Sequence, residues 1–372
     1  MASFTRSWFP AAGAAAPFLI MSTAVFLAPV QMAAQATSGI AATAKSTSAA
    51  NPAKYTPPRL ADGRPDFTGF WSNNTATPVE RPASFKGREY LTPEEAKTVE
   101  KASVRVDEKR VKGAPCAVQV RPGAICPGAV GGAGSADVGD YNAVFLEDGK
   151  RVVSTLRTSI ITDPKDGRLP PMTQDAQRRA EADAAHQLDH PFDGPEDLSV
   201  ADRCISGSGT PMLPRGYNNT IHIIQTASHV AIAAEMMHDV RVVPIDGRSH
   251  GGARQWLGDA VGHYEGDTLV IENTNFNGKR GWPGSNIGRR ADEKMKVTER
   301  FTRTAPDVLL YQFTVEDPGL YTRPYSGEIT MWPSEHPVYE YACHEGNYSM
   351  PLILSGARAE EKAVASKRAT GR

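Results

Sequence analysis

From Asn218 to His344 the chain alternates apolar and polar residues in short runs. Turns such as Asp246-Gly247-Arg248 and Glu265-Gly266-Asp267 cut those runs. Successive side chains of a strand point to opposite faces, so period two with frequent turn signals predicts an antiparallel barrel or sandwich. The runs predict strands near Thr220–Gln225, Val230–Met236, Val240–Ile245, Val261–Tyr264, Thr268–Phe276, Lys296–Thr304, Val308–Val315, Thr322–Met331 and Val338–His344. A barrel is the leading expectation, and an open sheet or β-sandwich of the same strands is the alternative. Such folds work through their interior or their mouth.

The first residues read as a targeting segment. Arg6 supplies a weak positive start, an apolar stretch runs from about Ala11 to Val30, and Ala34-Gln35-Ala36 offers small residues for cleavage. Residues 1–36 are therefore read as a secretory signal peptide, with a membrane anchor as the alternative. No other run is apolar enough to span a bilayer. Residues 37–58 are rich in Ala, Ser, Thr and Pro and read as a disordered tether. Residues 59–215 are expected to add helices, strands and a Gly/Pro-rich loop to the main β region, 216–358, and 359–372 to form a flexible tail. Export implies a periplasmic or secreted protein.

Four cysteines then meet an oxidising compartment. Cys116 and Cys126 share one Gly/Pro-rich loop and could close it. A Cys204–Cys343 bond would staple the start of the β region to its end. Buried free thiols are the alternative. A formal charge of −1, with Lys and Arg spread among acids, gives no electrostatic case for nucleic acid or an acidic membrane.

In the N-terminal half, Asp66 to Trp71 looks like a strand entry, and Val152 to Thr162 is a β-branched run that predicts a strand. Thr92-Pro93-Glu94-Glu95 has the residues of an N-cap, a first-turn proline and a capping box, so a helix is expected to about Lys109. Thr173 caps a second helix to about Leu188, and Glu196 to Cys204 suggests a third, short one. Ala114 to Gly139 reads as an irregular excursion. Asp-Gly-Arg occurs at 62–64, 166–168 and 246–248, three tight turns whose flanks differ.

Strand alternation sorts the polar residues by face. Val297, Glu299, Phe301 and Arg303 share one face, so Glu299 faces inward with apolar neighbours. A carboxylate there needs a partner or a raised pKa. An internal salt bridge to Arg303 or Arg241 is the structural reading; a site role is the functional one. Glu340 and His344 share a face about 13 Å apart on the expected last strand. His238, His250 and His263 stand near turns, and acid–base use of one is conceivable. The candidate acid–base set is Glu299, His344, His263 and His238. Tyr217 and Asn219 could orient a polar ligand group, Arg241 and Glu340 could line the same cavity, and Leu309, Tyr311, Phe313 and Val315 could supply its apolar wall. Turn capping is the plainer reading of the asparagines. The histidine spacings match no metal motif, and neither phosphate-cradling glycine motif is present, so no metal or nucleotide cofactor is expected.

The stretches "DGRPDFTGFW", "IITDPKDGRLPP", "RQWLGDAVGHYEGDTLVIENTNF", "ERFTR" and "YEYACHEGNY" resemble a family of exported bacterial proteins. The resemblance covers nearly the whole chain after residue 58 and brings no reaction with it. It implies Cys204, His238, Arg241, His263, Glu265, Glu299, Arg300 and His344 as the recurring polar positions. Gln312 departs from that pattern, which has an acid there. Gly69-Phe70-Trp71 also resembles the Gly-x-Trp opening of lipocalin-like barrels, although the long stretch between Trp71 and the main strands is foreign to true lipocalins. The combined expectation is a lipocalin-like barrel with two or three peripheral helices. It would hold a small, largely apolar molecule in its cavity. A cofactor-independent lyase, isomerase or hydrolase using a Glu/His pair there is the alternative, and a structural envelope protein with a filled interior is a third reading.

Overall fold

The computed structural model describes residues 55–111, 147, 149–207, 209–279 and 291–370, with the backbone alone for 104–111. The signal peptide, the tether up to residue 54, and Cys116 and Cys126 lie outside the described residues.

The ten strands are β1 (Gly69–Ser72), β2 (Ile161–Asp163), β3 (Thr220–Gln225), β4 (His229–Ala234), β5 (Val240–Pro244), β6 (Asp259–Glu265), β7 (Thr268–Thr274), β8 (Lys296–Ala305), β9 (Val308–Glu316) and β10 (Tyr325–Pro333). Nine run in the order β5-β4-β3-β1-β10-β9-β8-β7-β6, each neighbour antiparallel, and β2 adds to β10. The two edges approach each other: a Cβ on Gly262 of β6 would lie 3.1 Å from Val243 Cγ1 of β5. The result is an antiparallel, nearly closed nine-stranded barrel of lipocalin-like form.

Among the described residues, three α-helices accompany it. In α1 (Pro93–Val111) the capping box forms: Glu95 N–H donates to Thr92 Oγ1 (3.2 Å) and Thr92 N–H donates to Glu95 Oε2 (2.8 Å). In α2 (Gln174–Asp189) the Thr173 hydroxyl accepts from Ala176 N–H at 3.1 Å. A third helix, α3 (Ser349–Thr370), occupies the end of the expected β region and most of the expected tail. Its apolar residues follow no strong stripe, which is why periodicity missed it. All three Asp-Gly-Arg turns share one geometry. The Asp carboxylate accepts from the Arg N–H two residues on, and the glycine sits at φ +72 to +85. That conformation favours glycine because a Cβ would clash there.

Three expectations are corrected. Val338 to His344 is not a strand. β10 already pairs with β9 on one side and with β1 and β2 on the other, so it offers that run no free side. Of Val152 to Thr162, only the last two residues enter a strand, β2. Leu156 in the left-handed region breaks the extended run. The helix expected over Glu196 to Cys204 is reduced to one 3-10 turn, Pro195–Asp197.

The barrel interior is packed with large side chains. Tyr311, Tyr325, Phe67, Phe301 and Phe313 are all fully buried, and the rings of Phe301, Tyr311, Phe313 and Tyr325 follow one another at centroid spacings of 5.0, 5.7 and 6.3 Å. At the lower end the Arg303 guanidinium stands 5.4 Å from the Trp71 ring, and its Nη1 donates to the Asp66 carbonyl at 3.1 Å. Trp71 Nε1 donates to the Phe67 carbonyl at 2.9 Å, completing the closure below.

Candidate binding site at the barrel mouth

The opposite end is where β3, β5, β6, β8 and β10 begin and where β4, β7 and β9 finish. Residues 204–207 and 209–219, rich in Gly, Ser and Pro, cross this mouth as a strap. The disulfide Cys204–Cys343 fixes its first residue. Asp239, in the turn between β4 and β5, accepts from Ser206 Oγ (2.9 Å) and from the N–H groups of Gly207 (2.9 Å) and Gly209 (3.3 Å). Asn273 of β7 donates to Thr210 Oγ1 at 3.3 Å. Met212 is held from both sides: its N–H donates to Tyr311 Oη at 3.1 Å, and its carbonyl accepts from Asn73 Nδ2 at 2.9 Å. Asn219 closes the strap, accepting from Arg215 N–H at 2.7 Å and donating to the Arg215 carbonyl (2.9 Å) and Glu147 Oε2 (2.8 Å).

Below Met212 lies a buried charged cluster. Glu299 faces the barrel interior and is fully buried. Its partner is Arg241, the second residue of β5: the guanidinium grips the carboxylate with both terminal nitrogens, Nη2 reaching Oε1 at 2.9 Å. Tyr311 donates to Glu299 Oε1 at 2.7 Å. The salt-bridge reading of Glu299 therefore holds, with Arg241 as partner and not Arg303. Burial pulls the Arg241 pKa down, but the Glu299 charge and hydrogen bonds outweigh that and hold it above its ordinary value. Burial, and then the adjacent Glu299 charge, push the Tyr311 phenol well above its ordinary pKa. Arg241 and Tyr311 thus stay protonated across neutral pH.

The Glu–His pairing expected at this carboxylate is not formed. Among the described residues, Glu299 has no histidine partner. Glu340 and His344 are exposed on the irregular chain beyond β10, so neither meets the strand carrying Glu299. His238 is exposed at the mouth, where Nε2 accepts from Tyr341 N–H at 2.8 Å. His263 points outward from β6 toward Glu265, 3.2 Å away, which also binds Arg300. The site residues expected from sequence therefore divide. Arg241, Glu299, Tyr311, Asn219 and the half-buried Tyr217 gather at the mouth; Phe313 lies deeper in the packed core; His263, Glu340 and His344 are outside.

Two recesses flank Met212. One is lined by Asn73, Leu213, Arg215, Asn218, Asn219 and Ile221 as well as by Met212 and Ala234; the other is lined by Gly209, Ile232, Asp239, Arg241 and Leu257, again with Met212 and Ala234. Each has a volume of about 10 Å³, room for roughly one water. Cys204, Asn218, Met237 and His238 carry left-handed φ values of 50 to 60°, which non-glycine residues rarely adopt. They cluster around this mouth, and such strain gathers at functional sites. Among the described residues, no group of three or more His, Cys, Asp or Glu is placed to hold a metal ion, and no helix is long and apolar enough to cross a membrane.

Sequence reasoning missed Asp239, Asn73, Asn273 and Met212. One signal was legible: "SGSGTPMLPRG" puts the apolar pair Met212-Leu213 inside a loop-forming run, and an apolar pair in a loop must be buried somewhere. No family model, no curated protein and no solved structure matches this chain.

Proposed function

We propose that this protein is exported and binds a small, largely apolar molecule at the mouth of its barrel, in the place now filled by Met212. The observation that carries the reading is the placement of the Arg241–Glu299–Tyr311 cluster beneath two recesses separated by one flexible side chain. A buried ion pair is a weak source of stability, since apolar replacements of the same volume often do as well. Its position beside a recess that Arg241 and Met212 both line favours a role in orienting a ligand. Methionine is unbranched and adapts its shape, so it can yield its place at modest cost. The apolar wall is Ile232, Ala234 and Leu257 near the mouth; Phe313 and Val315 serve as packed foundation. The enzymatic alternative lacks, among the described residues, the Glu–His pair it called for.

Native mass spectrometry of the protein purified from its own host tests the reading. A discrete excess mass of a few hundred daltons, lost on denaturation, is expected. Protein at its bare mass in every preparation, with no small molecule in its organic extract, contradicts it.

A further inference from the structure

Among the described residues, the charged side chain beside the first recess has no ion-pair partner. Arg215 lies on the strap, half-buried, with its Nε withdrawn from water. Among the described residues, no carboxylate stands within ion-pair distance of it, and its buried Nε meets no acceptor. Burial pulls its pKa below the usual arginine value, and Asp239, Tyr217 and Tyr341 offset this only in part. Asp239, the nearest acid, already accepts three hydrogen bonds from the strap.

A second orphan lines the same recess. Asn73 is 4 % exposed, and its Nδ2 is committed to the Met212 carbonyl, which fixes the orientation of the amide. Among the described residues, its buried Oδ1 meets no donor. The recess thus presents a cation lacking an acceptor and an acceptor lacking a donor. An uncompensated buried cation is costly, and it is retained where an anion completes it. The volume of about 10 Å³ fits an oxygen-sized group and excludes a carbon skeleton.

We propose that the molecule bound at the mouth carries a carboxylate, that Arg215 receives it, and that a hydroxyl on the same molecule can satisfy Asn73 Oδ1. The inference rests on the mouth being the binding site and adds the chemical class: an apolar body with a carboxylate head, of which one oxygen enters the recess. Arginine suits this because its planar fork matches a carboxylate.

The test compares two probes with one skeleton, phenylacetate and 2-phenylethanol, by isothermal titration. A charge-assisted contact predicts that the wild type binds phenylacetate at least about tenfold more tightly than the alcohol. In Arg215→Gln the ratio should collapse to about one, and Arg215→Lys should keep part of it. Equal affinities in the wild type, or an unchanged ratio in Arg215→Gln, overturn the proposal while leaving the mouth as a binding site for neutral molecules. Binding of neither probe also overturns it, and the retained-ligand mass then judges the mouth on its own. If Arg215→Gln fails to fold, competition in the wild type decides: acetate, the bare head group, should displace phenylacetate, and failure to do so overturns the proposal.

Discussion

Replacing Glu299 by glutamine removes one charge from a pair whose members are 0 % and 7 % exposed. The shape is kept, so the effect is electrostatic. Arg241 remains as a buried cation facing a neutral amide, and breaking a buried pair from one side costs about 3–5 kcal/mol. That is a large part of the roughly 5–15 kcal/mol that holds a typical domain together. The double replacement Arg241→Met/Glu299→Leu removes both charges and should cost far less than the sum of the singles, with a coupling of about 2 kcal/mol or more. Tyr311 loses its acceptor in that double variant, but its oxygen still accepts from Met212 N–H, so adding Tyr311→Phe should not recover stability. Urea unfolding followed by circular dichroism reads each value, with m unchanged if the fold is kept. A loss under about 1 kcal/mol for Glu299→Gln, or strict additivity in the double variant, would refute the idea that this pair is desolvated and mutually dependent.

Other consequences follow from the same geometry. Replacing both Cys204 and Cys343 by serine opens a link between residues 139 apart and should lower the urea midpoint by the equivalent of about 2–5 kcal/mol, as should reduction of the wild type. Burial, with the Asp292 charge adding to it, raises the Asp317 carboxyl to about 6 in the folded protein. The folded state therefore holds this proton more tightly than the unfolded chain. Its contribution is fully present below about pH 4 and is lost as pH rises toward 6, a fall of up to about 3 kcal/mol that Asp317→Asn should flatten in a stability–pH profile. Arg303→Ala removes the cation from the Trp71 ring and two carbonyl hydrogen bonds, and should cost about 1–3 kcal/mol by urea unfolding without changing what the mouth binds.

Period-two patterning carried the architecture from β3 to β9 because each of those strands has one face on the core and one toward solvent. β8 shows why: Val297, Glu299 and Phe301 are buried, while Thr298, Arg300 and Thr302 are not. The same pattern misread Val338 to His344, whose alternation is real but whose preceding strand, β10, is paired on both sides. Pairing partners are a property of the whole topology and cannot be read from one run. Glu299 was legible as an inward carboxylate, and Arg241 as one of two possible partners, from alternation alone. Asp239, Asn73 and Asn273 were not legible. Each acts through one hydrogen bond or more to the strap, and those contacts join residues 30 to 139 positions apart. Long-range contacts made by side chains in turns leave no periodic trace.

The central claim is that the mouth, beneath the strap, is the ligand's place, and amide hydrogen exchange tests it most directly. Protein as purified from its host is compared with the same protein unfolded with its disulfide intact, stripped of small molecules and refolded. The account predicts slower exchange in the loaded form at Gly207, Gly209 and Met212, with the central amides of β8 and β9 unchanged. Equal exchange along the strap in the two forms, or protection confined to the lower end around Trp71, would contradict it.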